Sequence, residues 1–371
     1  MNRIEKKISK VFNNIPVADR PEAVFIFNDG RIDKNFFYIT GLYNGIFENC
    51  GLLGDKGGKI YLFTTALEEE AARSVDKYAE IVIYKNKKQR NDGLKRVFSN
   101  YSKIGIIYNF ISYSFYLYLK ETFSDNDWVD IGKAFKVSRM IKSQDEIDII
   151  SRASDFVSTV ADSIPGILRE GITELDLAAE IDYRLKKEGA HGIAFKTIAA
   201  FGKNTSMPHY SSAGISLKKG DAVLVDFGAE YMGYSSDITR TYLAGEHEKN
   251  LLKIYDTVYN AQKRAIELIR AGVNTEYVEK EVRCVIDRYE QYRGRFIHSL
   301  GHSIGLDVHD DGYPSEDFNK EFAESMVLTV EPGIYIPGLY GVRLEDDIVV
   351  KKDECRVLTT AKKESLTYEI Q

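Results

Sequence analysis

Apolar and polar positions along the chain fall into two regimes. Up to about residue 140, short apolar runs alternate with polar or mixed segments. AVFIF (23–27), KIYLF (59–63), EIVIY (80–84) and KIGII (103–107) predict strands. Asn28-Asp29-Gly30 and the stretch from Asp55 to Gly58 supply turns. The segment from Thr65 through ALEEEAARSVDKYA and the aromatic-rich YSFYLYLKETF (113–123) predict helices. Strands alternating with helices make an α/β domain. GLLGDKGGK (51–59) superficially looks like a phosphate loop. It precedes a strand instead of joining strand to helix, and Ile60 stands where Ser or Thr is required, so a hairpin or loop turn is the better reading.

Past Ser138–Ser143 the period lengthens. Ser143 with Glu146 forms a capping-box signature, opening a helix with Ile147, Ile150, Val157 and Val160 on its apolar stripe. A second helix runs from Thr173 to Gly189, with Leu175, Ala178, Ile181 and Leu185 as its apolar face. Two more cover 247–271 and 275–290. AVLVDFG (222–228), DITRTYL (237–243), MVLTVEPGIYI (326–336) and VRLEDDIVV (342–350) predict strands. This half reads as α+β, with helices flanking a largely antiparallel sheet, and the boundary divides the chain into domains at 1–140 and 141–371.

Composition agrees with two domains in 371 residues. A net charge of −6 gives no reason to expect nucleic acid or an acidic membrane face as partner. Cys50, Cys284 and Cys355 are far apart and odd in number, which points to a reducing compartment. The N-terminus has no apolar run of signal-peptide type, and no segment approaches the roughly 20 apolar residues of a membrane span. The expectation is a cytoplasmic protein.

The chemistry lies where the strand patterns are interrupted. Alternation in AVLVDFG aims Asp226 into the region of Ala222 and Leu224, Glu331 ends VLTVE, and Glu345 interrupts VRLEDDIVV. Asp237 lies 11 residues after Asp226, beyond a Gly-, Tyr- and Ser-rich turn, so a hairpin can bring both carboxylates to one place. Singly, each has an ordinary reading: a turn cap for Asp226, a wet strand end for Glu331, a loop histidine for His302. Together they are two Asp, two Glu and one His at strand ends or Gly-flanked positions. Buried carboxylates are paired or metal-bound. Four carboxylates match the charge of two divalent cations, and one imidazole among oxygen ligands suits Mn, Co, Fe or Zn.

PHY (208–210), VDFGAEYMGYSSDITRTY (225–242), GHSIGLDVHD (301–310), TVEPGIY (329–335) and VRLEDD (342–347) resemble the pita-bread-fold metallopeptidases of the creatinase/methionine aminopeptidase type. The proline-specific branch, Xaa-Pro dipeptidase and Xaa-Pro aminopeptidase, is the most similar. NFFYITGLYN and IYLFTTALEEEA are similar to that branch's creatinase-type N-terminal domain. The resemblance implies an α/β creatinase-like domain followed by an α+β pita-bread catalytic domain. It implies Asp226, Asp237, His302, Glu331 and Glu345 as ligands of two divalent ions, Mn or Co first, then Zn or Fe. His209 and His309 take the substrate-side roles, Arg343 supports the metal site, and Glu331 passes a proton. The implied reaction is hydrolysis of the Xaa-Pro bond of dipeptides or short peptides by a metal-bridging hydroxide, in a homodimer. The segment after His309, Asp310-Asp311-Gly312-Tyr313, departs from the Glu-x-Pro-Arg of prolidases and leaves dipeptide against longer peptide open. Methionine aminopeptidases share the ligands but lack a first domain of this size. The alternatives are a small-molecule amidohydrolase (creatine- or ectoine-type) and a non-catalytic binding member. The remaining histidines, His191, His247 and His298, are expected to stay outside these roles, although His298 is close enough in sequence to support a ligand; Tyr335 and Thr239 either support ligands or are plain strand residues, the latter favoured for Thr239.

Overall fold

The computed structural model describes residues 2–244, 249–310, 312–314 and 320–363, with the backbone of 367–368. The chain divides into two compact units, Met1–Arg139 and Met140–Gln371.

In the first unit the strands are β1 (Ala23–Phe27), β2 (Gly51–Asp55), β3 (Ile60–Thr65), β4 (Glu80–Tyr84), β5 (Lys103–Ile106) and β6 (Asp127–Asp130). They form one sheet in the order β4-β3-β2-β1-β5-β6, antiparallel from β1 to β3 and parallel at both flanks. The helices are α1 (Arg3–Asn13), α2 (Lys34–Thr40), α3 (Glu69–Ala72), α4 (Lys87–Phe98), α5 (Tyr113–Thr122) and α6 (Gly132–Met140). Aromatic rings fill the core: Phe98 meets Phe25 at 4.9 Å and Trp128 at 5.5 Å, and Phe27 stacks on Phe115 at 4.8 Å. The Gly-rich stretch 51–59 is the β2–β3 hairpin, where Asp55 Oδ1 accepts from Gly57 N–H (2.8 Å) and Lys59 N–H (2.9 Å).

One helix falls short. The pattern predicts helix from Thr65 to Ala79, but only α3 and a 3₁₀ turn at Arg73–Val75 form. Glu68 is committed to the N–H of Phe47, and the chain must reach β4 by Glu80. Local tertiary demands override propensity there.

In the second unit, α7 (Gln144–Ser163) opens on the Ser143/Glu146 capping box, and α8 (Glu174–Glu188) closes on Gly189 in the left-handed region. The buried face of α8 is Leu177, Ile181 and Leu185, preceded by Glu174. Leu175, placed on that face by its spacing, is 51% exposed, because the helix phase turns Glu174 inward instead. The strands are β7 (Gly192–Ile193), β8 (Ile198–Phe201), β9 (Ala222–Phe227), β10 (Ala229–Tyr231), β11 (Tyr234–Ser235) and β12 (Ile238–Ala244). After the helices α9 (Lys249–Leu268) and α10 (Thr275–Asp287) come β13 (Val327–Val330), β14 (Gly333–Ile336), β15 (Tyr340–Arg343), β16 (Asp346–Val350), β17 (Cys355–Val357) and β18 (Thr367–Tyr368).

These strands make several small sheets, not one. β18-β12-β9-β8, β13-β16-β17 and β11-β10-β7 are accompanied by the β14–β15 hairpin, and only β12–β18 is parallel. Two expected strands are each broken in the middle. The run 326–336 stops at Glu331-Pro332, where proline has no N–H to donate, and 342–350 stops at Leu344-Glu345. Both breaks carry a candidate ligand.

Candidate metal centre

The antiparallel β9–β12 pair sets Asp226 opposite Thr239. Asp237 stands just before β12, after the β10–β11 hairpin turns through Met232 and Gly233, both at positive φ. That return passes close to Gly228, where an added Cβ would lie 2.3 Å from the Ser236 carbonyl oxygen. His302 comes from the segment after α10. Its N–H donates to Thr329 Oγ1 (3.0 Å), and Thr329 N–H donates back to the His302 carbonyl (2.9 Å). Gly301 permits this approach, since a Cβ there would fall 2.0 Å from the Thr329 carbonyl oxygen. Glu345 N–H donates to the Thr239 carbonyl (3.1 Å), bringing the β15–β16 break beside β12.

These segments converge. Ligand atoms of Asp237, His302 and Glu345 all lie within 4.8 Å of one another. His302 Nε2 is 3.7 Å from Asp237 Oδ2 and 3.6 Å from Glu331 Oε1. His302 Nδ1 lies 3.1 Å from the Ser303 carbonyl, which can only accept, so Nδ1 carries the proton and Nε2 offers its lone pair inward. Asp226 joins through Arg343, whose Nη2 donates to Asp226 Oδ2 at 2.5 Å.

Arg343 organises the cluster from behind. Its Nε donates to Thr239 Oγ1 (3.0 Å), which in turn donates to Glu345 Oε2 (2.6 Å). Its Nη1 donates to the Tyr335 hydroxyl (2.9 Å), 3.0 Å from His298 Nε2. His298 Nδ1 faces the Ser299 carbonyl at 2.8 Å and so donates, which leaves Nε2 to accept from Tyr335. One buried guanidinium thus orients Asp226 directly and Glu345 through Thr239. Thr239 is therefore a supporting residue of the centre, contrary to its strand-residue reading. A hydroxyl facing inward and one facing outward leave the same mark on a strand pattern. Thr329, which accepts from His302 N–H, leaves no mark in its strand pattern either.

The charges are unbalanced. Burial first, then Glu345 and Asp226, push the Asp237 carboxyl well above its ordinary range. Burial first, then Glu331 and Asp226, do the same to Glu345. Glu331 is raised to about 7, again chiefly by burial. His302 is lowered to about 4 by burial and by His309, and His298 to about 4 by burial. Burial opposes the charge on Arg343, but Tyr335, Asp226, Glu345 and Glu331 outweigh it and hold the guanidinium firmly protonated. Asp226 Oδ1 and Asp237 Oδ1 are buried without a hydrogen-bond partner. Orphaned carboxylate oxygens beside an inward imidazole lone pair fit a divalent ion, whose charge would relieve the repulsion.

The two histidines expected on the substrate side lie at the edge. His309 is exposed, with its ring centroid 4.1 Å from that of His302. His209 is exposed in the 207–210 turn and close enough for its charge to depress His298. His191 points elsewhere, accepting from Met232 N–H (3.3 Å). Asp310 is buried, 3.6 Å from Lys142 Nζ, and its N–H closes the loop onto the Ser303 carbonyl (2.8 Å). Asp311 and His247 fall outside the described residues.

Buried acids around one imidazole, short of internal cations, are the donor set of a metal-dependent hydrolase. The chain belongs to metallopeptidase family M24, whose model matches residues 148–352, and the Creatinase/Prolidase N-terminal domain matches 18–141. The Xaa-Pro dipeptidase of Pyrococcus furiosus is 34% identical over 84% of this chain and 87% of its own. That of Pyrococcus horikoshii is 33% identical over 98% and 99%. The crystal structure of X-Pro aminopeptidase from Thermotoga maritima superposes with a TM-score of 0.88, at 29% identity and covering all of both chains. The fold is a creatinase-type α/β domain followed by an α+β pita-bread catalytic domain, and the protein is a metallopeptidase dependent on divalent metal. Among the described residues no helix is long and apolar enough to cross a membrane.

Proposed function

We propose that the protein is an exopeptidase that hydrolyses the Xaa-Pro bond at the N-terminus of dipeptides or short peptides. The observation that carries this reading is the buried group of Asp237, His302 and Glu345, flanked by Glu331 and braced by Arg343. The names of the similar proteins in the two Pyrococcus species and in Thermotoga maritima support proline specificity.

Asp226, Asp237, His302, Glu331 and Glu345 would hold two divalent ions, with Mn or Co favoured and Zn or Fe compatible with the same donors. When bound, the pair supplies a water activated for attack at neutral pH and electrophilic polarisation of the scissile carbonyl. The chain's own residues do the rest. Glu331, 3.6 Å from His302 Nε2, is the carboxylate that would take a proton and deliver it to the leaving proline nitrogen. His209 and His309, at the open edge, orient the substrate and donate to the developing oxyanion. Arg343 keeps Asp226 and Glu345 in place as charge shifts. A cytoplasmic homodimer completes the reading.

The test compares an Xaa-Pro dipeptide with an Xaa-Pro-Xaa tripeptide at equal metal loading. Cleavage of the dipeptide alone assigns a prolidase, and preference for the tripeptide an Xaa-Pro aminopeptidase. Cleavage of neither overturns the proposal and returns the amidohydrolase and binding alternatives.

A further inference from the structure

Glu174, the first residue of α8, is fully buried, yet no ion pair is seen for it among the described residues. Its carboxylate takes four donors instead. Oε1 accepts from Phe201 N–H (2.9 Å) and Asn204 Nδ2 (2.9 Å), and Oε2 accepts from the Tyr210 hydroxyl (2.8 Å) and Ala213 N–H (3.0 Å). These fill the roughly four lone-pair positions of a carboxylate. Every donor belongs to one segment, 201–213, and the two backbone donors are its ends. Asn204 Nδ2 also reaches the Tyr210 hydroxyl (3.0 Å), tying the two inner donors to each other.

His209 lies inside that segment, next to Tyr210, in a turn closed by Tyr210 N–H onto the Met207 carbonyl (3.2 Å). Opposite the carboxylate, the segment is fixed to the β14–β15 hairpin. Gly341 N–H donates to Thr205 Oγ1 (2.7 Å), and a Cβ at Gly341 would fall 2.2 Å from the Thr205 carbonyl oxygen. The loop is therefore clamped between α8 and the hairpin that carries Tyr335 and Arg343. A buried carboxylate is costly unless fully hydrogen-bonded, so the loop and Glu174 specify each other's geometry.

We propose that Glu174 is a positioning residue: its carboxylate gathers the 201–213 loop and so fixes His209 at the edge of the metal centre. The link to catalysis rests on the substrate-side role proposed for His209. Glu174 contacts neither substrate nor metal ligand. Its effect runs through the loop.

The test uses the full chain loaded with Mn²⁺. Glu174→Gln puts an amide NH₂ against groups that are themselves donors. Amide exchange in 201–213 should accelerate about tenfold or more, while amides around Asp226 and Glu345 keep their wild-type rates and metal content is unchanged. On an Xaa-Pro peptide, kcat should fall by about ten- to a hundredfold with KM within about twofold, as expected of a misplaced transition-state contact. On a His209→Ala background the same substitution should cost less than about twofold more, because its effect is already spent. Unchanged exchange overturns the proposal, and so does a loss that multiplies independently with His209→Ala. If Glu174→Gln does not fold, Tyr210→Phe deletes one donor and should move exchange and kcat in the same directions by less. No change in either overturns the proposal. A wild-type enzyme that cleaves no Xaa-Pro peptide would defeat the proposed function alone, because the exchange measurement needs no substrate.

Discussion

Glu345 and Asp346 are neighbours in sequence, both fully buried, and they meet opposite surroundings. Burial raises the Asp346 carboxyl, but Arg240 and Lys363 outweigh it and hold the group below its ordinary range. Asp346 accepts from Arg240 Nη2 (2.8 Å), Thr359 Oγ1 (2.8 Å) and Gln262 Nε2 (3.1 Å), and it pairs with Lys363. Glu345, one residue earlier, faces Glu331 and Asp226 and is driven the other way. Burial is the same and the company differs. On one side of the chain the protein brings its own cations to a buried acid. On the other it assembles Asp226, Asp237, Glu331 and Glu345 around one guanidinium among the described residues, that of Arg343. The first arrangement is a finished structural ion pair, and the second is short of positive charge that a bound divalent cation would supply.

The sharpest way to break this comparison is to remove the cation on the finished side. Arg240→Met takes one of the two cations from Asp346, leaving Lys363 with the neutral donors Thr359 and Gln262, and frees the Thr239, Glu345 and Ala361 carbonyls that Arg240 also holds. Denaturant unfolding should show a loss of about 3–5 kcal/mol, the range for orphaning one member of a buried pair. An unchanged midpoint would mean the pair is not what keeps Asp346 ionised. A smaller effect is expected at the centre's edge. Tyr335→Phe removes the hydroxyl joining Arg343 to His298 while keeping the ring. Metal affinity or turnover should fall about tenfold, the low end for partners behind a ligand, with stability changed by about 1 kcal/mol. A large stability loss with intact affinity would make Tyr335 a packing residue instead.

The parts of the site that were legible in the sequence are those that violate a pattern. Asp226, Glu331 and Glu345 stand where alternating strands call for apolar residues or end, and the structure breaks its strands at Glu331-Pro332 and Leu344-Glu345. The supporting residues violate nothing. Thr239 is a β-branched residue in a strand and Tyr335 an aromatic in a hairpin, so each fits its element whether or not it serves the centre. Glu174 carries no signal of its own for a related reason. Acidic residues are common in a helix's first turn, and the spacing preferred Leu175 for the buried face, yet the loop's four donors draw the carboxylate inside. The Ser143 and Thr173 caps and the Gly189 stop were readable because capping is local chemistry. The shortened α3 was not, because the demand on Glu68 comes from Phe47, distant in sequence.

The most direct test of the account is the number of metal ions bound. Titration of metal-free protein with Mn²⁺, read by calorimetry and by metal content after dialysis, should give two ions per wild-type chain. Glu345→Gln should lose at least one of them. Wild-type protein that binds no ion, or a Glu345→Gln variant that binds two with wild-type affinity, would contradict the claim that these acids are arranged to hold external cations.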